Sequence, residues 1–158
     1  MSERAVPLFA LRDPAGMLAA APDFIEMSPI AIYACDAKGR VRWFNERAAA
    51  LWGRRPRIGD DTELFCGSFK LFGLDGRLIC REETPMAHVL ATGEAVHGRE
   101  ATVERPDGSR VAAMVHIDPI KDGEGNLLGA INCFHDVSEF HRIKTENAEG
   151  GAIVRQVL

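Results

Sequence analysis

The sequence feature that most limits the possible folds is a run of three strand-like segments joined by very short turns. The segments span residues 95–105, 110–120 and 127–137. Pro-Asp-Gly-Ser at 106–109 and Asp-Gly-Glu-Gly-Asn at 122–126 separate them, and both are rich in residues that favour tight turns. Connections this short join antiparallel neighbours, because a crossover between parallel strands needs a dozen or more residues. We therefore predict an antiparallel three-stranded meander.

A further pair of strands is predicted near the N-terminus. Residues 30–35 form an apolar run, and the turn-forming residues Asp-Ala-Lys-Gly follow at 36–39. Residues 40–44 then alternate in part between polar and apolar side chains. This pattern is typical of a β-hairpin.

Two short helices are predicted between the hairpin and the meander. Residues 46–52 follow Asn45, and residues 85–92 follow Thr84, so each helix begins after a side chain that can accept a hydrogen bond from a free backbone N–H. A glycine follows each segment and can take the left-handed conformation that closes a helix.

Two further regions of the chain have weaker patterns. A small hairpin is predicted within residues 69–80, inserted among short helices. After the meander, residues 138–149 are predicted to form an exit helix that breaks at Gly150-Gly151.

These elements predict an α+β domain, with a five-stranded antiparallel sheet and short helices between strands two and three. A chain of 158 residues has the size of one such domain with short flanks. We divide it into an N-terminal flanking arm (1–23), a folded domain (24–140) and an exit helix with linker (141–158).

Four stretches in this order resemble the PAS sensory domain family: SPIAIYACDAKGRVRWFNERAAALWG, ETPMAHVLATGEAV, ERPDGSR and PIKDGEGNLLGAINCFHDVSE. The resemblance covers about residues 24–140 and implies a sensing or dimerising module. Such modules are commonly attached to histidine kinases, cyclic-dinucleotide enzymes or transcription regulators. Asp-Val-Ser-Glu at 136–139 resembles the family's exit signature, which leads into a signalling helix.

Composition excludes several classes of partner and location. A net charge of -4 is too mild for a protein that binds nucleic acid by neutralising phosphates. The 4 cysteines include no C-x-x-C pair, which agrees with a reducing compartment. No apolar run approaches the roughly 18 residues that span a bilayer, and the N-terminus lacks the features of a signal peptide. We predict a cytoplasmic protein that binds neither nucleic acid nor membranes.

No catalytic motif and no cofactor site is predicted. The sequence has no phosphate-binding loop, no H-E-x-x-H and no G-x-S-x-G. Cys66 lies in Leu-Phe-Cys-Gly-Ser-Phe, which lacks the Asn, Arg and Gln neighbours of the photosensing flavin motif. Haem ligation through His88 is disfavoured, because on the helical wheel this residue projects about 150° from the apolar stripe of Met86, Val89 and Leu90.

Two further histidine patterns are judged structural. If Ile120 faces Leu127, His116 and His135 lie about 13 Å apart on one face of the sheet, too far for one metal ion to join them. His-Arg-Ile-Lys at 141–144 resembles a kinase phosphoacceptor box, but it follows Asp-Val-Ser-Glu directly without a helical spacer. We predict no metal site and a charged exit helix.

A candidate ligand pocket is predicted on the inner face of the sheet, which the resemblance to ligand-binding PAS domains suggests is covered by helices. Strand alternation puts side chains from the last two strands on this face, and the first strand and the helices add others. Asn132 is the informative member, because a buried amide needs a hydrogen-bond partner, whether backbone, water or ligand. The candidate pocket residues are Tyr33, Cys35, Trp52, Leu90, Ala113, Val115, Ile117, Asn132 and Phe134.

The opposite face of the sheet is predicted to mediate dimerisation. The same alternation turns Met114, Ile131 and Cys133 outward, and the N-terminal arm supplies apolar side chains that could cover them, namely Leu18, Phe24 and Ile25. PAS relatives often use this surface for parallel dimers. We therefore expect a homodimer.

The function predicted from these observations is that of a non-catalytic sensory module. A small molecule or partner that prefers one packing of sheet and helices would change what the exit helix presents to an effector domain, in the same chain or separate. One alternative is a ligand-free interaction domain with a filled core. Another is the N-terminal input piece of a sensor histidine kinase.

Overall fold

Residues 26–157 of the chain are described by a computed structural model, with side chains described for residues 26–148. Six strands form one sheet, in the spatial order β2-β1-β6-β5-β4-β3, and every neighbouring pair is antiparallel. The strands are β1 (Ala31–Asp36), β2 (Val41–Phe44), β3 (Lys70–Phe72), β4 (Val96–Glu104), β5 (Arg110–Lys121) and β6 (Leu127–Asp136).

The α+β class, the N-terminal hairpin and the meander are confirmed, but the sheet has six strands rather than five. The additional strand is β3, which pairs with the C-terminal end of β4. It belongs to the small hairpin predicted in this region, because Ile79 N–H donates to the Leu71 carbonyl at 2.8 Å. Sequence alone did not show that this hairpin joins the main sheet, since three residues carry little periodicity.

Both short helices lie where the sequence predicted them. Helix α1 (Glu46–Trp52) is capped by the Asn45 side chain, and α2 (Pro85–Thr92) is capped by the Thr84 hydroxyl. A 3-10 turn (Arg81–Glu83) leads into α2. The helices pack on one face of the sheet, which buries an apolar core between them.

The exit helix is longer than predicted. Helix α3 (Ser138–Val157) passes through Gly150-Gly151 without a break. Glycine lowers helix propensity by about 1 kcal/mol relative to alanine, but it keeps the backbone N–H that continues the hydrogen-bond ladder. The predicted end of the helix at 149 is therefore wrong.

The pairing of β5 with β6 also differs from the prediction that Ile120 faces Leu127. Lys121 faces Leu127, and a bulge between Lys121 and Ile120 places Ile120 opposite Gly129. The Asp122 carboxylate accepts two backbone N–H groups, and the turn begins one residue later than assumed, so that Lys121 is still paired. The bulge shifts the register by one more residue. Because the total shift is two residues, every side chain keeps its predicted face.

None of the described helices has the length and apolar character needed to cross a bilayer.

Candidate functional site

The inner face of the sheet carries a cluster of three aromatic rings. Tyr33 on β1 meets Trp52 on α1 edge to face, with ring centroids 5.1 Å apart. Phe134 on β6 stacks on Trp52 at 5.6 Å and meets the edge of Tyr33 at 5.7 Å. All three side chains are buried. The cluster forms a rigid wall, because each ring contacts the other two.

A small cavity lies beside this aromatic wall, and we call it the inner cavity. Its volume is about 30 Å³, which is enough to hold a water molecule. Strands β1, β3, β4, β5 and β6, the ends of the two short helices and the loop before β3 line it. Its lining residues are Tyr33, Trp52, Cys66, Leu71, Thr84, Pro85, Met86, Ala101, Val103, Ala113, Val115, Ile117, Asn132 and Phe134.

Asn132 places an amide in this apolar surrounding. The residue is 3% exposed, and its Oδ1 atom is buried without a hydrogen-bond partner among the described residues. An unpaired buried acceptor costs about 1–3 kcal/mol. The inner cavity therefore holds an acceptor that a donor group of water or of a ligand would satisfy.

Tyr33 adds a hydroxyl to the same region. Its hydroxyl donates to the Phe65 carbonyl at 2.9 Å. Burial raises the pKa of Tyr33 well above its ordinary value, and the charges of Cys66 and Cys35 act in the same direction. Burial likewise raises the pKa of the Cys35 thiol. Both groups therefore stay protonated at neutral pH, and both protons are directed to the Phe65 carbonyl.

A four-residue segment, Leu64–Gly67, passes next to the inner cavity, and we call it the strap. Phe65 has φ +73°, a left-handed conformation that is uncommon for a residue with a bulky side chain. Its N–H donates to the Gly39 carbonyl at 2.6 Å. A Cβ at Gly39 would collide with the Phe65 ring, so the two positions fit only with glycine at 39.

A second space, which we call the vestibule, lies outside the strap and has a volume of about 210 Å³. Cys66, Leu71 and Thr84 line both the vestibule and the inner cavity. These three side chains therefore separate the two spaces. The vestibule is completed by the β3 hairpin and the 3-10 turn, whose residues here are Ser68, Phe69, Lys70, Leu78, Ile79, Cys80 and Arg81.

The structure brings together seven of the nine candidate pocket residues around the inner cavity: Tyr33, Trp52, Ala113, Val115, Ile117, Asn132 and Phe134. Cys35 is fully buried in the core without lining the cavity, and Leu90 packs against the core from α2. Sequence reasoning missed the other seven lining residues, of which Thr84 carried a local signal as a helix cap and Met86 as a member of the apolar stripe of α2. The seven are Cys66, Leu71, Thr84, Pro85, Met86, Ala101 and Val103.

The outer face of the sheet carries the three described residues proposed for dimerisation. Met114, Ile131 and Cys133 are all half-buried on this face. Burial, followed by the nearby charge of Asp118, raises the pKa of the Cys133 thiol. The other three candidates, Leu18, Phe24 and Ile25, lie outside the described residues.

The histidines on the outer face lie closer together than predicted. The rings of His116 and His135 stack with centroids 6.0 Å apart, where the assumed register predicted about 13 Å. The true register places His116 opposite Cys133, so His135 is two positions along β6. His97 on β4 lies 6.0 Å from His116 on the other side. Within the described part of the chain, no three potential ligands are arranged to hold a metal ion.

The remaining two histidines lie on the surface. His88 is exposed on α2, as the helical wheel predicted. His141 on α3 is also exposed, and its Nε2 lies 2.7 Å from the Glu100 carboxylate on β4. This contact ties the first turn of the exit helix to the sheet.

The chain matches a known protein family over most of its length. The PAS fold family model matches residues 25–142. Among similar solved structures, an RNA-binding light-oxygen-voltage receptor is 18% identical, with 99% of this chain and 41% of that chain covered and a TM-score of 0.57. The PAS domain of the fruit-fly ELK potassium channel is 15% identical, with 77% and 95% covered and a TM-score of 0.56.

A structure of VqmA bound to DPO is 18% identical, with 75% of this chain and 57% of that chain covered and a TM-score of 0.53. At these identities the likeness to solved structures shows the fold. No curated protein matches the chain.

Proposed function

Because the chain belongs to the PAS fold family, a general family of sensory and signalling modules, we propose that it is a sensory module that binds a small molecule in the inner cavity. The observation that carries this proposal is the unpaired Oδ1 of Asn132. Natural interiors satisfy nearly all buried polar atoms, so an amide oxygen without a partner beside a cavity favours a missing donor. A ligand that supplies the donor gains a hydrogen bond that the closed core lacks.

The cavity beside Asn132 has a mostly apolar lining and a small volume. Aromatic and aliphatic side chains form most of the wall, while the cavity volume of about 30 Å³ is far below the 300 Å³ or more of a typical small-molecule pocket. Binding therefore requires the walls to move apart. This requirement is what makes the cavity suitable for a sensor, because occupation and conformation are coupled.

The output of the module would pass through α3. This helix follows β6 directly, and the Ser138 hydroxyl accepts the Ala112 N–H at 2.9 Å, which joins the helix to β5. Phe140 and Ile143 on its first turns are 63% and 44% exposed. Two exposed apolar residues at a spacing of three form a stripe that a partner helix can cover. We propose that movement of the sheet reaches an effector through this helix, in the cytoplasm and without catalysis or a resident cofactor in the module itself.

A second candidate function is a ligand-free interaction domain, and the small volume of the inner cavity favours it. In that case one buried water would satisfy Asn132, since a cavity of this size can hold it. The two functions differ in what occupies the cavity. They also differ in how the protein responds to the loss of the amide.

The experiment that separates them is native mass spectrometry of freshly purified protein, combined with thermal melts of wild type and Asn132→Leu. A sensor is expected to carry a stoichiometric small molecule, or to be stabilised by one from a fragment library, and to lose that stabilisation in Asn132→Leu. A wild-type protein that binds no molecule, together with a more stable Asn132→Leu variant, would establish the ligand-free function.

We also propose a homodimer formed through the outer sheet face. Met114 is half-buried there, so Met114→Glu would place an unpaired charge into the contact, which is costly to desolvate. Sedimentation at micromolar concentration is expected to show a wild-type dimer and a monomeric variant. Glu139→Gln, on exposed α3 surface, serves as a charge-changing control that keeps the dimer. A monomeric wild type, or a dimeric Met114→Glu of equal stability, would exclude this interface.

A further inference from the structure

The vestibule and the inner cavity are two chambers separated by three side chains, those of Cys66, Leu71 and Thr84. The outer chamber has about 210 Å³ and the inner one about 30 Å³. Leu71 belongs to the three-residue edge strand β3, and Cys66 belongs to the strap. Short edge strands and loops open at lower cost than core strands, so an opening between the two spaces would cost least at this partition.

Side chains hold the strap in place through its carbonyl groups. Arg81 Nη1 donates to the carbonyls of Leu64 and Cys66, each at 3.2 Å. Tyr33 donates to the Phe65 carbonyl, and Arg54 donates to the Gly67 carbonyl at 2.8 Å. Four consecutive carbonyls thus accept hydrogen bonds from side chains, while an antiparallel bridge between Leu64 and Arg40 joins the start of the strap to the β1–β2 hairpin. Loss of the Arg81 bonds would therefore loosen the Cys66 end of the strap and leave its Leu64 end in place.

Charge in the vestibule has one sign. The ionisable cations that line it are Lys70 and Arg81, and no carboxylate lines it. Within the described part of the chain neither cation has an ion-pair partner, and the Lys70 ammonium lies over the Phe69 ring at 5.4 Å. A carboxylate in the vestibule would therefore meet two cations without a direct ion pair, one of which is also a clamp of the strap, although the Arg81 charge also acts on the Asp60 carboxylate.

We propose that the vestibule is the carboxylate subsite of a ligand whose other end reaches Asn132, so that the ligand is a small organic acid with an apolar middle and a hydrogen-bond donor opposite its carboxylate. The carboxylate draws Arg81 from the Leu64 and Cys66 carbonyls, which loosens the strap and opens the partition. The donor then satisfies Oδ1 of Asn132 in the inner cavity. This inference rests on the proposed function and adds the ligand class, the route and the clamp.

The probe for this proposal is 4-hydroxybenzoate, with two matched controls. In 4-methoxybenzoate the hydroxyl donor is removed, and in 4-hydroxybenzyl alcohol the carboxylate is removed. Calorimetric titration is expected to show that each control binds about tenfold more weakly or worse, which is the usual effect of losing a charged or buried hydrogen-bond partner. Equal affinity for the acid and the alcohol would overturn the carboxylate subsite.

The route is tested by iodoacetamide labelling with peptide mapping, which follows the four cysteines separately. Once bound, the acid lies across the partition against Cys66 and covers its thiol. At a tenfold excess over its Kd, 4-hydroxybenzoate is therefore expected to slow labelling of Cys66 about tenfold, because only the small fraction of free protein is then labelled. Cys133, half-buried on the other face of the sheet, serves as the internal reference and should not change. Unchanged labelling of Cys66 by the bound acid would overturn the entrance at this partition.

The Arg81→Met variant tests the clamp. Without ligand, iodoacetamide is expected to label its Cys66 faster than in wild type, and the variant is expected to bind 4-hydroxybenzoate and 4-hydroxybenzyl alcohol with equal affinity. Lys70→Met, an exposed position, removes only the second cation and tests the charge preference if Arg81→Met fails to fold. Arg77→Met is the matched control, since Arg77 is exposed on the same hairpin and does not line the vestibule. Wild-type labelling in Arg81→Met would overturn the clamp.

Two different binding results separate the ligand class from the sensory function. If 4-hydroxybenzoate does not bind, while another molecule stabilises the wild type and not Asn132→Leu, the ligand class is overturned and the sensory function stands. If no molecule binds at all, both are overturned.

Discussion

The domain buries two asparagines, and they differ in how completely their amides are used. Asn45 is 1% exposed, and its Oδ1 accepts the N–H groups of Ile32 and Ala48 at 3.0 Å each while its Nδ2 donates to the Ile30 carbonyl at 3.0 Å. Asn132 is 3% exposed and leaves Oδ1 unpaired. The first amide joins β1 to the start of α1, whereas the second faces a cavity.

The difference separates a structural role from a functional one. A buried amide that is fully bonded contributes to stability and specifies local geometry, because each of its partners would otherwise be unsatisfied. A buried amide with a free acceptor costs stability at that atom, even though the Asn132 side chain also interacts with the Tyr33 hydroxyl. Substitutions at the two positions should therefore have opposite effects on the free energy of unfolding.

The largest effect is expected for Asn45→Leu. It leaves two backbone N–H groups and one carbonyl without partners, and it removes the cap of α1, so the loss should be about 3 kcal/mol or more. Urea denaturation measures it. Asn45→Asp keeps the acceptor and should lose less. If Asn45→Leu costs no more than Asn132→Leu, the distinction between the two amides fails.

The next effect concerns Tyr33, which borders the inner cavity. Its folded-state pKa lies above the unfolded value of about 10, so its contribution to stability is present below pH 10 and is lost as the pH rises through the folded-state pKa. Wild type should lose about 1.4 kcal/mol per pH unit above pH 10 from this group alone. Tyr33→Phe should show a shallower alkaline slope in denaturant titrations. Equal slopes would show that Tyr33 ionises freely in the fold.

A smaller effect of opposite sign is expected for Asn132→Leu. In the absence of ligand it removes an unsatisfied acceptor, so the variant should be about 1 kcal/mol more stable than wild type. Urea denaturation of extensively dialysed protein tests this. A clear loss of stability would mean that an ordered water already satisfies Oδ1, and it would bring Asn132 closer to Asn45 in role.

The smallest effect is expected at Glu63 near the strap. Burial opposes its ionisation, but hydrogen bonds from the Arg57 backbone and the Arg54 side chain outweigh this and hold its pKa below the ordinary value. Its contribution is therefore present above about pH 4.3 and is lost as the pH falls through the lowered pKa. Between neutral and acid pH, the free energy of unfolding of Glu63→Gln should therefore fall less than that of wild type, by a difference of less than about 1 kcal/mol. Denaturant titrations over this pH range measure the difference. An unchanged pH dependence of unfolding in the acid range would show that Glu63 does not stabilise the fold through Arg54.

Much of the fold was predictable because its signals are local. Asn45 and Thr84 were recognised as caps from their place before short apolar segments, and the turns of the meander are rich in glycine and aspartate. Alternation also predicted that Asn132 faces inward with Ala113 and Ile117. These inferences need only neighbouring residues or the period of a strand.

The strap was not predictable in the same way. Its position depends on contacts between residues far apart in the chain, such as Arg81 with Leu64 and Tyr33 with Phe65. The left-handed backbone of Phe65 has no sequence signal, since such a conformation usually indicates glycine or asparagine. The two-residue error in the β5–β6 register arose similarly, one residue from the turn at Asp122 and one from a bulge, and hydrophobic patterning reveals neither.

The packing of the strap on the aromatic wall has a spectroscopic consequence. A Cβ at Gly67 would collide with the six-membered ring of Trp52, so the strap backbone lies directly on that indole. The chain has 2 tryptophans, and the other, Trp43, is half-buried on β2. In a Trp43→Phe background, emission from the remaining indole would shift to longer wavelength whenever the strap lifted and water reached the ring. The protein thus carries an intrinsic fluorophore at the entrance to its core.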